Sequence, residues 1–270
     1  DVQQDALDKV VAELTAAGAQ VAALRGDVSR GEDIQALADL CLERFGVPHI
    51  VINNAGVAYG GLIWEAGPRD WEWVLGVNLW GVIHGVRVFT PLMLAEARKN
   101  PAYQGHIVNV ASMAGMLNSP NLGVYNVSKH AVVSLSETLY QDLALVTDQV
   151  HASVLCPYFV PTGIHQSHRN RPAELRTDAK PTASQLIGQA MSAKAVTSGK
   201  VTATDTAALV FNAIEANQFY VYTHPKAIGM VQVRMEDVMQ ARNPTDPFAG
   251  KPEIGEQLKT ALRDALAKED

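Results

Sequence analysis

The sequence predicts a protein of the α/β class, in which helices cover both faces of a parallel sheet. Short apolar runs rich in β-branched residues alternate with longer stretches of helical period along most of the 270 residues. Strands that alternate with helices favour parallel pairing, because right-handed crossovers carry the chain from one strand to the next. The length suffices for one sizeable core, or at most two small domains.

The first part of the chain predicts two helices and two strands. Leu7, Val10 and Leu14 recur at helical spacing, and Gly18 follows them as a helix stop. A second helix is expected after Ser29, whose hydroxyl suits an N-cap, and it should end before Gly46. The predicted elements are a helix over residues 2–17, a strand over 20–24, a helix over 29–45 and a strand over 49–53.

The middle of the chain predicts a long helix, a buried strand and a second long helix. The apolar residues from Val124 to Leu143 recur at helical spacing after a loop that contains Pro120 and Gly123. The predicted elements are a loop over residues 55–67, a helix over 69–98, a strand over 106–111, a helix from 124 onward and a strand over 150–156.

The last part of the chain is less regular. Residues 163–199 show little periodicity and many polar residues, which is typical of a long functional loop. The further predicted elements are a helix over 205–217, a strand over 219–222, a helix over 225–242, a turn-rich linker over 243–252 and an amphipathic helix over 253–268.

Composition excludes several classes of protein. With 47% hydrophobic and 19% charged residues, neither a disordered chain nor a membrane protein is indicated, and no apolar run reaches the roughly 18–20 residues of a membrane helix. A net charge of −6 gives no electrostatic footprint for nucleic acid. Cys41 and Cys156 are interpreted as buried free thiols of a reducing compartment. We therefore expect a cytoplasmic protein that binds neither nucleic acid nor membrane.

Ser112, Tyr125 and Lys129 are the first candidate catalytic residues. Tyr125 and Lys129 lie four apart on one helix face, and Ser112 ends the preceding strand, where α/β sheets bind ligands. A nearby ammonium can lower a tyrosine pKa from about 10 by roughly 1–3 units. Such a set moves a proton and holds a substrate oxygen, but it needs a cofactor as hydride carrier. On its own, the pair could equally be an ordinary exposed helix pair.

Further motifs accompany this set in a fixed order. They are Gly26-Asp27-Val28, Asn53-Asn54-Ala55-Gly56 after a strand, Asn78-Leu-Trp-Gly81 in a helix, and Ser112 thirteen residues before Tyr125. Together they resemble the short-chain dehydrogenase/reductase family from Asp1 to about Thr162. The resemblance implies a Rossmann-type doubly wound sheet in three α/β/α layers.

The resemblance also implies a catalytic tetrad of Asn78, Ser112, Tyr125 and Lys129. Tyr125 is then the general acid/base, and Ser112 orients the substrate oxygen. Lys129 lowers the pKa of Tyr125 and binds the nicotinamide ribose, and Asn78 holds a water that relays protons. From spacing alone, Asn78 could also be a helix-interior asparagine bonded to backbone.

Cofactor contacts follow from the same resemblance. Val160 and Thr162 match a family segment that contacts the nicotinamide, although Tyr158 replaces its glycine. Asp1 would stand at the end of a strand, where an acidic residue bonds the adenosine ribose and disfavours a 2′-phosphate, which favours NAD over NADP; the alternative is a helix-capping aspartate. The expected cofactor-binding residues are Asp1, Asp27, Val28, Asn53, Ala55, Gly56, Tyr125, Lys129, Val160 and Thr162.

One family feature is missing from the sequence. No T-G-x-x-x-G-x-G or G-x-G-x-x-G motif occurs, although such a loop holds the cofactor pyrophosphate. In the family two strands precede residue 20 and lie between the third and fourth. We therefore expect roughly 35–40 further residues upstream in the native protein, a length judged from the resemblance.

The expected organisation is one Rossmann-type catalytic domain over residues 1–242, with a substrate lid at about 163–199, and a C-terminal linker and helix over 243–270. The expected function is NAD(P)-dependent interconversion of a secondary alcohol and a ketone, in a homotetramer or homodimer. The alternatives are a non-catalytic dinucleotide-binding or regulatory protein and a scaffold that binds no nucleotide. His165 and His168 are interpreted as a solvated lid rather than a metal site, because no cysteine or carboxylate cluster accompanies them.

Overall fold

A parallel sheet forms the centre of the protein in the computed structural model, which describes residues 1–177 and 179–267. Four strands lie in the order β1-β2-β3-β4, all parallel: β1 Ile50–Asn53, β2 Gly105–Val110, β3 Val150–Cys156 and β4 Tyr220–Tyr222. In this register Ile107 of β2 stands opposite both Val51 of β1 and Ala152 of β3. The carboxyl ends of β1, β2 and β3 therefore meet at one edge of the sheet.

Helices pack on both faces of the sheet. They are α1 Gln4–Ala16, α2 Gly31–Phe45, α3 Pro68–Leu75, α4 Gly81–Lys99, α5 Gly123–Val146, α6 Ala183–Thr197, α7 Ala203–Glu215, α8 Ile228–Met239 and α9 Pro252–Leu266. Ile107 packs with Phe89 of α4 and Leu139 of α5, whereas its neighbour Val108 packs with Val210 of α7. Because successive side chains of a strand point to opposite faces, three layers result. The predicted α/β/α class is confirmed.

Two predictions for the first part of the chain are wrong. Residues 20–24 form no strand, since none of the strands in the described part of the chain pairs with them, and a strand needs a partner for its backbone groups. Ser29 does not cap α2, whose N-cap is Arg30. The Ser29 hydroxyl instead donates a hydrogen bond to Asp27 Oδ1 at 2.8 Å.

The long helix predicted over residues 69–98 contains an interruption. A π-helical segment, Gly76–Trp80, separates α3 from α4 and carries Asn78. Such segments are rare and often occur at functional sites. The continuous stretch Pro68–Lys99 is long and apolar enough to cross a membrane, contrary to the sequence expectation. Length and composition alone do not decide this, because core helices share both, and Phe89 and Met93 of this stretch pack in the core.

The expected lid contains a helix that its weak periodicity concealed. Thr182 caps α6, since its hydroxyl accepts from the Gln185 N–H and the Gln185 side chain accepts from the Thr182 N–H. The helix meets other elements on several sides, so its buried positions, Ser184, Gly188 and Val196, include small and polar residues. A Cβ on Gly188 would lie 3.1 Å from the Gly60 backbone, which explains why a glycine faces that loop.

The C-terminal part follows the prediction with small shifts. The helix predicted over residues 225–242 is a 3₁₀ turn, Pro225–Ala227, followed by α8. α9 packs against the lid helix α6, and residue 268, the predicted end of α9, lies outside the described residues. Both cysteines are free, with Cys156 buried and Cys41 half-buried.

Candidate active site

A large cleft opens at the carboxyl ends of β1, β2 and β3. Its volume is about 1720 Å³. This cleft position is the one at which open α/β sheets bind ligands. Eleven of the twelve predicted site residues line it: Asp1, Asp27, Val28, Asn53, Ala55, Gly56, Ser112, Tyr125, Lys129, Val160 and Thr162. The twelfth, Asn78, lies fully buried behind its wall.

Ser112 follows β2 at the edge of the cleft. Its backbone is extended, and it caps the 3₁₀ turn Met113–Gly115, because its hydroxyl accepts from the Ala114 N–H at 3.1 Å. The hydroxyl also lies 3.4 Å from Pro157 O, to which it donates a long hydrogen bond. That weak bond leaves the hydroxyl able to turn toward a substrate oxygen.

Tyr125 and Lys129 lie one turn apart near the start of α5. Lys129 Nζ stands 5.7 Å from the centre of the Tyr125 ring and donates to Val110 O at 2.9 Å. The Lys129 side chain is only 2% exposed, and this burial lowers the pKa of Lys129 to about 8. The alternative of an ordinary exposed helix pair does not describe these two residues.

The pKa of Tyr125 differs from the sequence expectation. Burial raises the pKa of the Tyr125 phenol, and a hydrogen bond with the Ser112 side chain opposes that rise without reversing it. The resemblance implies the opposite direction, with Lys129 lowering this pKa. Burial prevails because it disfavours the charged phenolate more than the Ser112 side chain favours it. Tyr125 is therefore protonated at neutral pH, as a general acid must be.

The Asn78 side chain joins the loop after β1 to helix α5. Its Oδ1 accepts from the Val57 N–H at 2.8 Å, and its Nδ2 donates to Val57 O and to Ser128 Oγ, each at 3.0 Å. Both amide N–H donors are thus used, and one lone pair of Oδ1 is left for a water. The side chain is bonded to backbone, as the alternative interpretation held, yet it also braces the tetrad.

Ser128 is a site residue that sequence reasoning missed. It is fully buried, accepts from Asn78 and donates to Tyr125 O at 2.7 Å. The available signal was a serine three residues after Tyr125 and directly before Lys129 on the same helix, where residues three apart are neighbours. Ser128 therefore connects Asn78 to the helix that carries the acid/base.

Two of the residues expected to bind the cofactor, Asn53 and Gly56, have well-defined packing partners. A Cβ on Gly56 would lie 3.6 Å from both Asn78 Oδ1 and Lys129 Nζ, so the Gly56 backbone passes directly beside the tetrad. Asn53 Nδ2 donates to Asn109 Oδ1 at 2.8 Å, and its side chain fits only because Gly85 has none. Asn53 thus also forms a side-chain hydrogen bond between β1 and β2.

Asp1 and Asp27 contribute carboxylates to the cleft lining. Asp1 Oδ1 accepts from the Gln3 N–H at 2.9 Å, but Gln3 is itself the N-cap of α1 and that helix has no side-chain cap, so Asp1 does not take the capping role weighed as the alternative. Asp27 Oδ1 accepts from the N–H and the hydroxyl of Ser29. Each contact uses one carboxylate oxygen, and a carboxylate can accept further bonds.

Residues 1–177 and 179–267 hold no group of three or more histidine, cysteine, aspartate or glutamate side chains that could bind a metal ion. Of the two lid histidines, His165 has its Nδ1 3.1 Å from Thr162 O. This contact ties His165 to the backbone of the segment expected to meet the nicotinamide.

Comparisons with known proteins agree with this geometry. Residues 1–173 match the family model described as short chain dehydrogenase. A CLA biosynthesis dehydrogenase/reductase from Lactiplantibacillus plantarum is 32% identical over 244 residues, which are 88% of this chain and 82% of that protein.

Two solved structures are also similar. A short-chain dehydrogenase/reductase from Burkholderia phymatum in complex with NAD is 53% identical, with a TM-score of 0.89 over 92% of this chain and 86% of that one. A metagenomic short-chain oxidoreductase in complex with NADP is 29% identical, with a TM-score of 0.53 over 58% of this chain and 68% of that one. The chain belongs to the short-chain dehydrogenase/reductase family.

Proposed function

We propose that this protein is an NAD-dependent alcohol dehydrogenase or carbonyl reductase that interconverts a secondary alcohol and a ketone. The observation that carries the proposal is the meeting of Ser112, Tyr125 and Lys129 at the carboxyl end of β2. All three side chains line the same cleft, the Ser112 side chain favours ionisation of the Tyr125 phenol, and Lys129 stands over the Tyr125 ring. One substrate oxygen can therefore contact both a hydroxyl that holds it and a phenol that exchanges its proton.

The residues present fit the nicotinamide half of a dinucleotide. Lys129 Nζ has three N–H donors and uses one on Val110 O, so two remain for ribose hydroxyls. The Gly56 backbone, Val160 and Thr162 line the same end of the cleft. When bound, the dinucleotide supplies or accepts the hydride, which no amino-acid side chain can do.

NAD is the cofactor that we favour. The carboxylate of Asp1 lines the cleft and would repel a ribose 2′-phosphate bound beside it. The similar enzyme from Burkholderia phymatum binds NAD, whereas the more distant metagenomic one binds NADP.

In the reductive direction, Ser112 holds the ketone oxygen and Tyr125 gives it the phenolic proton. The raised pKa of Tyr125 keeps that proton in place at neutral pH. Lys129, which carries a positive charge below its pKa of about 8, stabilises the phenolate that remains. Asn78 fixes the Val57 loop against α5, so that the reacting groups keep their geometry. In the oxidative direction the phenolate form is the base that removes the proton from the alcohol; the raised pKa of Tyr125 makes this form scarce at neutral pH, so we expect oxidation to speed up as the pH rises.

The second candidate is a non-catalytic dinucleotide-binding or regulatory protein of the same fold. The complete tetrad favours the enzyme, because a protein without turnover would need no acid/base beside an oxygen-binding hydroxyl. We further propose a cytoplasmic location and a homotetramer or homodimer; the exposed Val127, on the helix of Tyr125 and outside the cleft lining, supports the oligomer.

The test is the turnover of a panel of ketones with NADH by the wild type and by Tyr125→Phe. The variant loses the phenolic proton but keeps the ring, so turnover should fall by about 10²–10⁴-fold with little change in NADH affinity. Tyr140→Phe, on the outer part of α5 and away from the cleft, is the matched control. Full turnover by Tyr125→Phe would refute the proposed role, and NADH binding without any turnover by the wild type would favour the second candidate.

A further inference from the structure

Two adjacent aromatic rings line the cleft directly after β3. Tyr158 and Phe159, hereafter the aromatic pair, have ring centres 4.2 Å apart at an interplanar angle of 43°. Each side chain is 37% exposed, and both residues line the cleft. By the resemblance, Tyr158 stands where the family motif has glycine.

The aromatic pair lies beside the reacting groups. Pro157 O accepts from the Met113 N–H at 2.8 Å and from Ser112 Oγ at 3.4 Å. Tyr158 is the next residue, and consecutive Cα atoms are about 3.8 Å apart. The pair lines the same cleft as Ser112 and Tyr125, so a substrate whose oxygen is held by Ser112 can extend along the cleft toward the pair.

Contacts behind the pair hold it in place. The Tyr158 N–H donates to Thr223 Oγ1 at 3.0 Å, and the His224 ring packs edge-on against the Tyr158 ring at 5.7 Å. A Cβ on Gly199 would lie 2.3 Å from Phe159 O, so the chain after α6 closes tightly over that backbone. The two rings thus form a supported surface that needs little reorganisation on binding.

The part of the cleft lining that follows β2 in the chain is mostly apolar. From Ser112 to Phe211, the described residues that line the cleft include no carboxylate, and their charged members are Lys129 and Arg169. The apolar lining there includes Leu122, Ile164, Leu175 and Phe211. The carboxylates in the cleft lining are those of Asp1, Asp27 and Glu72, which belong to earlier parts of the chain.

We propose that the aromatic pair holds an aryl ring of the substrate, so that the substrate class is aryl carbinols and aryl ketones. This inference rests on the proposed function and names its substrate class. Aromatic rings prefer offset or edge-to-face contacts with other rings, which a saturated ring of the same size cannot make. Such a contact corresponds to about a 2- to 12-fold preference beyond the burial of area.

The test compares 1-phenylethanol with 1-cyclohexylethanol, which differ only in the ring. We expect the ratio of their kcat/KM values to fall about 2- to 12-fold in Tyr158→Leu relative to the wild type, because only the aryl contact is lost. Using the ratio between variants cancels the intrinsic reactivity of the two alcohols. Phe159→Leu is the second variant, and Tyr158→Phe should keep the preference. The control is Tyr140→Leu, which is 38% exposed but outside the cleft.

A binding measurement separates this proposal from the proposed function. Acetophenone and cyclohexyl methyl ketone, added with NADH absent, are compared by ligand-observed NMR on the wild type and on both leucine variants. Preference for acetophenone that the leucine variants lose supports the aromatic pair even if no alcohol is turned over. Equal binding and an unchanged kcat/KM ratio in both leucine variants would overturn the aryl proposal and leave alcohol oxidation standing.

Discussion

Ser128 and Ser136 are two fully buried serines on α5 that make the same hydrogen bonds to different partners. Each hydroxyl accepts from an asparagine Nδ2 at 3.0 Å and donates to a backbone carbonyl at 2.7 Å. The asparagine is Asn78 of the tetrad for Ser128 and Asn109 of β2 for Ser136. Replacing either serine by alanine removes one hydroxyl and leaves one buried asparagine Nδ2–H without its acceptor.

The expected loss of stability is the same for both variants. An unsatisfied buried donor costs about 1–3 kcal/mol, so each variant should unfold more easily by that amount. Their effects on catalysis should differ. Asn78 keeps its two bonds to Val57 in Ser128→Ala but loses its link to the helix of Tyr125. A misplacement of catalytic groups by about 1 Å can cost about 10²-fold, so we expect kcat to fall at least about tenfold.

Urea denaturation and steady-state kinetics measure the two quantities on the same preparations. Ser136→Ala, matched in burial and bonding, should lose stability and keep kcat. Equal losses of kcat in both variants would mean that loosening α5 anywhere impairs turnover. Ser128→Ala with full kcat and reduced stability would refute the claim that Ser128 positions the tetrad.

Three further predictions concern charged and buried groups. Lys129 has a pKa of about 8, so kcat/KM for ketone reduction should fall as the pH rises through about 8, because the ammonium loses its proton. In Lys129→Arg this fall in kcat/KM should occur at a higher pH. Burial lowers the pKa of His106 from 6.5 to about 4, so the unfolded chain binds more protons than the folded chain between these pH values. The free energy of unfolding should therefore drop by up to about 3 kcal/mol as the pH falls from 6.5 to 4. Urea denaturation at several pH values should show a weaker dependence of this free energy on pH in His106→Gln. Arg171 Nη1 pairs with Asp70 Oδ1 at 2.6 Å, and both side chains are nearly nine-tenths buried. Arg171→Met leaves the Asp70 carboxylate buried without its partner, so the free energy of unfolding should fall by roughly 3 kcal/mol and limited proteolysis should cleave residues 163–199 more easily. Unchanged proteolysis would contradict an anchoring role.

Much of the fold could be predicted because its signals are local. The strands at Ile50–Asn53, Gly105–Val110 and Val150–Cys156 are short apolar runs, and their bounds differ from the prediction by one residue or none. Residues 20–24 carry an equally good strand pattern but form no strand, since pairing depends on a neighbour and not on the segment itself. The lid helix α6 was missed because it packs on several sides and so lacks a single apolar stripe.

In the candidate site too, features fixed by local spacing could be predicted, and features that depend on tertiary structure could not. Tyr125 and Lys129 were predicted to meet because helical spacing fixes their separation. The partners of Asn78 lie 21 and 50 residues away, so only the tertiary structure reveals the brace to Val57 and Ser128. The Tyr125 pKa is shifted upward by burial, and residue spacing contains no information about burial. The aromatic pair was visible in the sequence only as a departure from the family motif.

The most direct test of the proposed reaction follows the hydride itself. NADH deuterated at the transferred position is incubated with the chain and acetophenone, and the product is analysed by mass spectrometry and NMR. We predict one deuterium on the carbinol carbon of 1-phenylethanol in the wild type, with transfer slowed about 10²-fold or more in Tyr125→Phe. Saturable NADH binding with no deuterium in any ketone of the panel would contradict the assignment of this cleft as a carbonyl-reducing site.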